Sequence, residues 1–137
     1  MASEIRVKLR TPITVQASDT MTAGTFSTGA ETAIDNRYSA GTENGLGAEQ
    51  ARMTVNVTSA PGGDTTVDIY TAKYDDANAV YEDYEYALSV QVLSGAIGSF
   101  SAGSILLNST LTKAKMKSID QNMTASLIAT PVTCEVQ

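Results

Sequence analysis

The chain opens on alternation. Ile5, Val7 and Leu9 fall on one side of an extended segment, and Arg6, Lys8 and Arg10 on the other, the period-two signature of a half-buried strand. Pro12 interrupts this run before Ile13, Val15 and Ala17 resume it. Proline cannot donate to a ladder, so the break reads as an edge strand or a bend. The clearest strand is 50–59, where Ala51, Met53, Val55 and Val57 oppose Arg52, Thr54, Asn56 and Thr58. The turn sequence APGGD, residues 60–64, leads into 65–72, with Val67, Ile69 and Thr71 inward and Asp68 and Tyr70 outward. In 84–92, Tyr84, Tyr86, Leu88, Val90 and Val92 share one face. Further strands are predicted at 104–108, 114–119 and 123–136, the last divided by Pro131. Residues 109–118 also admit a short helix, with Lys113 and Lys117 spaced i, i+4, but the alternation of Lys113, Lys115 and Lys117 favours a strand. GAIGSFSAG, residues 95–103, reads as a flexible hairpin connection.

Eight to ten short strands separated by turn signals predict an all-β fold: a single β-sandwich, jelly-roll-like or Ig-like, over residues 1–137. Its expected core includes Val55, Val57, Val67, Ile69, Leu88, Val90 and Leu127. Residues 17–50 fit this picture least. They are rich in Thr, Ala, Gly and Ser, and their large apolar residues are Met21, Phe26, Ile34, Tyr38 and Leu46. So long a stretch with little core material predicts an extended arm laid on a neighbouring subunit, or an edge-strand and loop segment. Met21, Phe26 and Ile34 are then candidate interface anchors, and 39–47 an exposed loop.

Composition sharpens the β reading. Eighteen Thr and thirteen Ser suit pleated surfaces and turns, and apolar residues at 42% suffice for a core. The formal charge is −6 and histidine is absent, which removes Ser-His-Asp and Cys-His catalysis and His-ligated zinc. A net-acidic chain is a poor electrostatic match for nucleic acid, so none is expected as a partner. Cys134 stands alone, excludes an internal disulfide, and is expected as a small core residue of the last strand. The N-terminal residues lack the apolar core of a signal peptide, and no run approaches the ~20 apolar residues of a membrane span. Synthesis in a cytoplasm and no membrane partner are the expectations.

Three clusters carry candidate chemistry. Asp75, Asp76, Asn78, Glu82 and Asp83, with Glu85, form an oxygen-rich stretch that is a weak calcium candidate; the spacing is not that of an EF-hand, and a solvated loop guarding a sheet edge is the plainer reading. No cofactor is expected. Tyr70, Tyr74, Tyr81, Tyr84 and Tyr86 crowd into seventeen residues and suit either sandwich packing or a surface for sugar or protein. Lys113, Lys115 and Lys117 form a one-sided basic row, a candidate contact for an acidic patch on a neighbouring subunit. With no catalytic constellation in sight, an enzyme is not expected.

The stretch VDIYTAKYDDANAVYEDYEYALSVQV, residues 67–92, resembles small virion proteins of tailed bacteriophages, in which a strand runs into an acidic D-x-x-x-x-Y-x-D loop and then another strand. Here the motif is Asp76, Tyr81 and Asp83, and the TASLIATPVT strand resembles the C-terminal half of those proteins. The resemblance implies a non-enzymatic structural protein located in the virion: a capsid decoration (cement) subunit, or a head or tail accessory protein. Its implied partners are the major capsid protein or other virion subunits, and further copies of itself as a trimer or dimer. The alternative is a carbohydrate- or receptor-binding β-domain of a fibre or tail.

Overall fold

The alternation at 50–59 is repeated along most of the chain, and the strands it creates pair into two antiparallel sheets. The computed structural model describes residues 5–37 and 44–136. Among these, ten strands follow in order: β1 (Ile5–Leu9), β2 (Ile13–Met21), β3 (Ile34–Asp35), β4 (Gln50–Ser59), β5 (Thr65–Asp75), β6 (Val80–Tyr81), β7 (Glu85–Val92), β8 (Gly98–Leu106), β9 (Leu111–Ser118) and β10 (Met123–Val136). The short helix that residues 109–118 also admit is thereby excluded, and β9 carries the lysine alternation as a strand. The glycine-rich stretch 95–103 is largely strand, because β8 begins at Gly98.

In the first sheet β10 is central, with β4 and then β8 on one side and both β1 and β2 on the other. β2 pairs with Met123–Ala129 and β1 with Val132–Val136. Pro131 does not divide β10, contrary to expectation. It lies opposite the break at Pro12, where its missing N–H leaves no ladder bond unmade, and its carbonyl accepts the Arg10 N–H at 2.8 Å. The second sheet runs β3–β9–β5, with β7 and β6 sharing the far edge of β5.

Four antiparallel pairs are nested: β2 with β10, β3 with β9, β4 with β8, and β5 with β7. The long hairpin so formed rolls up until β10 also meets β4 and β9 also meets β5. That order is the jelly roll, so the Ig-like alternative is not taken. Between the sheets lie Val15, Met53, Val55, Val57, Val67, Ile69, Met116 and Leu127, all fully buried. Leu88 and Val90 are only partly buried against this core. Their strand carries a bulge: Ile69 pairs with Leu88 but Tyr70 with Tyr86, leaving Ala87 extra. One inserted residue turns Tyr86 onto the outer face, away from the side shared by Leu88, Val90 and Val92.

Residues 17–37 are tied to this chain's own sheets, through the end of β2, β3 and isolated bridges at Phe26 and Glu31. Met21 and Ile34, expected to anchor on a neighbour, are instead closed inside the core. The Cys134 side chain and residues 39–43 of the expected exposed loop lie outside the described residues.

Candidate interaction surfaces

The outer face of the second sheet collects the aromatic and basic clusters. β5 turns Asp68, Tyr70, Ala72 and Tyr74 outward, the first three directly across from Lys117, Lys115 and Lys113 of β9. The three lysines share one face, as the alternation predicts. Lys115 Nζ lies 4.0 Å from the ring centroids of both Phe26 and Tyr84. Lys113 lies 4.2 Å from Tyr81, and Lys117 4.4 Å from Phe26. Phe26 meets Tyr70 edge-on at 4.9 Å, and Tyr70 meets Tyr86 at 5.9 Å. Among the described residues none of these ammonium groups forms a salt bridge; ring faces hold them instead. Ala72 points outward yet is 1% exposed beneath this layer. Phe26, offered above as an anchor for a neighbour, serves here as the ring shared by two lysines.

Burial drives the Tyr84 phenol well above its ordinary pKa, and Glu31, which accepts its hydroxyl hydrogen bond, adds to the shift. Burial likewise raises Tyr81. At the edge of this face the buried Asp35 carboxylate takes both Nε and a terminal nitrogen of Arg37, at 3.0 and 2.7 Å, which raises the guanidinium further.

The acidic stretch is a turn rather than a cage. Asp75 Oδ1 accepts the N–H of Ala77 and of Asn78, and Oδ2 accepts the Asn78 amide at 2.7 Å. Those bonds, chiefly from Asn78, hold the Asp75 carboxyl below its ordinary pKa. Asp76 accepts from the Thr110 hydroxyl at 2.9 Å instead of turning toward Asp75. Glu82 and Asp83 are exposed. Among the described residues no group of three or more Asp, Glu, Cys or His converges to hold a metal, so the five calcium candidates are not brought together. Asp76 instead borders a shallow depression of about 330 Å³ with Asn36, Glu49, Asn108 and Thr110. The Asn36 Oδ1 buried beside it faces Gly45, where a Cβ would lie 1.9 Å away.

The two sides of the sandwich, where sheet edges face each other, are finished differently. On one side the ribbon 22–36 spans β2 and β9. It gives the Gly24 and Ser27 N–H groups to the Ser118 and Met116 carbonyls of β9, and takes the Ala17 N–H of β2 on the Ala30 carbonyl. Buried Gln16 ties the ribbon down, donating to the Gly29 carbonyl and accepting the Ser27 hydroxyl, both at 2.6 Å. On the other side β7 and β8 stand beside each other, and among the described residues neither has a strand on its outer edge. Glu85, Tyr86, Leu88, Ser104, Ile105 and Leu106 border a groove of about 280 Å³ there.

Sequence reasoning passed over the strongest signal on that side. Residues 86–112 form 27 consecutive positions without a charge. They supply four of the large hydrophobic side chains standing in solvent: Tyr86, Leu93 (55% exposed), Ile97 (66%) and Leu106 (73%). A simple count of charges along the chain reveals the run; only the fold shows that it makes both free edges.

No protein-family model matches the chain, and neither do any curated protein or solved structure.

Proposed function

We propose that this chain is a non-enzymatic structural subunit of a tailed-phage virion, a capsid decoration (cement) protein that binds and stabilises the shell. The observation that carries the reading is the open side, where the uncharged segment 86–112 supplies most of two free strand edges and four exposed hydrophobic side chains. Natural sheets guard free edges with charge, proline, bulges or a cover. Among the described residues, β7 and β8 each carry one bulge but neither proline nor cover, and β8 carries no charge; an edge so lightly guarded and flanked by exposed apolar side chains suits protein contact. The jelly roll adds support by analogy alone, since this architecture serves viral shells and lectins alike. The resemblance of residues 67–92 to small virion proteins points the same way. The virion is then its location, and the major capsid protein its principal partner.

The test uses shells assembled from the major capsid protein of the genome that carries this gene. The purified chain binds them saturably, at a fixed number of copies per capsomer, and raises their unfolding temperature. Shells that sediment without the chain at micromolar concentrations overturn the proposal.

A carbohydrate- or receptor-binding role is favoured by one feature, the Tyr86 ring, which is 57% exposed. Against it, the faces of Phe26, Tyr81 and Tyr84 are already taken by lysines. A glycan array binding the parent protein but not Tyr86→Ala would establish that role.

A further inference from the structure

We propose that β8 pairs antiparallel with the β8 of a second copy across a twofold axis between residues 101 and 102, joining the two first sheets into one. The inference rests on reading the open side as a contact surface, and it concerns the free protein rather than the shell.

Electrostatics selects the place. Each copy carries a formal charge of −6, so a contact between copies is disfavoured wherever acids meet. Residues 86–112 present no charge to repel. β8 is the long free edge within them, and it contains neither proline nor lysine.

The register follows from the side-chain faces. Exposure alternates from residue 97 to 102, with Ile97, Ser99 and Ser101 outward and Gly98, Phe100 and Ala102 turned in. Against β4, Met53 pairs with Gly103 and Thr54 with Ser101, so Ala102 is an extra, bulged residue. The bulge reverses the phase: Ser104 and Leu106 are outward, and Ile105 is buried. An antiparallel strand paired with itself must set outward residues opposite outward ones. The bulge permits this about an axis between 101 and 102 for every pair outside the bulge itself, where Ser101 meets Ala102. Ile97 then faces Leu106 of the second copy, Ser99 faces Ser104, and Phe100 faces Gly103. The two most exposed hydrophobic side chains cover each other at both ends of the strand, and the largest inward ring lies opposite a residue without a side chain. A strand without the bulge could not satisfy all of these pairings at once.

Single cysteines in a Cys134→Ser background test the register. Ser99→Cys mixed with Ser104→Cys cross-links under mild oxidation, because opposite Cα atoms in an antiparallel pair are about 4.5–5.5 Å apart. Ser99→Cys alone does not, because its own counterpart lies five residues along the strand, about 17 Å away. Sedimentation of the parent shows a dimer, and Leu106→Lys removes it at the same concentration. A monomer at all concentrations, or cross-linking as efficient for Ser99→Cys alone as for the mixture, overturns the proposal. Shell binding by a parent that stays monomeric would sink this pairing while leaving the decoration role standing; loss of shell binding by a parent that dimerises as described would do the reverse.

Discussion

The two sides of this sandwich pose one physical problem and answer it in opposite ways. Each has a strand edge from either sheet lined up beside the other, with backbone groups that must be paired or wetted. On the β2–β9 side a ribbon of small residues fills the gap and spends its backbone on both edges. The side chains that hold it, Gln16 of β2 and its own Ser27, are polar and buried, and they satisfy one another. On the β7–β8 side nothing described fills the gap, and the flanking side chains are apolar and exposed. The closed side contributes to the stability of the monomer. The open side adds little to it and is free to be used between molecules. A segment poor in large hydrophobic residues is therefore the integral one here, and an apolar segment is the one turned outward.

Substituting glycine on both sides separates them most strongly. A Cβ on Gly29 would lie 2.4 Å from the Ala17 carbonyl oxygen, a backbone atom that cannot step aside. Gly29→Ala should cost about 3 kcal/mol, the upper end of the overpacking range, as the Ala17–Ala30 backbone bond is strained with it. Gly95, beside the open side, has φ +74° and nothing within 4 Å of an added Cβ. Gly95→Ala should cost about 1–2 kcal/mol, for left-handed strain alone. Urea midpoints for the two variants measure the difference, and equal losses would mean the ribbon is no more integral than the exposed turn.

Next in size is the buried polar link. Gln16→Leu leaves the half-buried Gly29 carbonyl and the buried Ser27 hydroxyl without this partner, at a cost of about 2 kcal/mol. Ser27 also accepts the Met116 N–H at 3.1 Å, so Ser27→Ala should be costly as well. The double variant should lose less than the sum of the two, because they share one network. Strict additivity in denaturation would mean that Gln16 and Ser27 act separately.

The contrast also explains what the sequence could and could not reveal. The faces of β4 are legible residue by residue, because one side of the strand is core and the other solvent. So is the lysine row of β9, and with it the choice of strand over helix. The ribbon is not legible. Its small residues look like an arm because they lack bulk for a core, but bulk is what a ribbon squeezed between two edges must avoid, as Gly29 against Ala17 shows. Its pairing of Phe26 with Lys117 spans ninety-one positions, and no local pattern encodes that. The alternation puts Tyr86 on the wrong face, because a bulge at Ala87 leaves no mark in a hydrophobic pattern. Of the candidate surfaces, the lysines and tyrosines were visible as residues, while their stacking on one another depends on Phe26 arriving from the distant ribbon.

A smaller effect appears only at high pH, where Tyr84 meets the ribbon through Glu31. The folded-state pKa of this phenol lies above its unfolded value, by burial first and Glu31 second. Its contribution is therefore complete below pH about 10 and is lost as the pH rises through the folded pKa. The parent should lose stability above pH 10 more steeply than Tyr84→Phe, and identical slopes would show that the phenol titrates as in the unfolded chain.

The smallest effect on folding belongs to Leu106. With 73% of its surface in water, it has little burial to give up on truncation. Its backbone pairing with Gln50 does not depend on the side chain. Leu106→Ser should thus change the unfolding free energy by less than about 0.5 kcal/mol, as surface substitutions generally do. The same change removes an apolar group from the open side, where it serves a contact outside the monomer. The variant should melt like the parent when dilute, and it should lose the extra stability that the parent gains as concentration rises, since binding to the native state raises apparent stability by mass action. Measuring both proteins across a hundredfold range of concentration reads the two effects apart. A loss above 1 kcal/mol in the dilute monomer would show that Leu106 supports the fold itself, and the division between a closed side for stability and an open side for contact would fail at that residue.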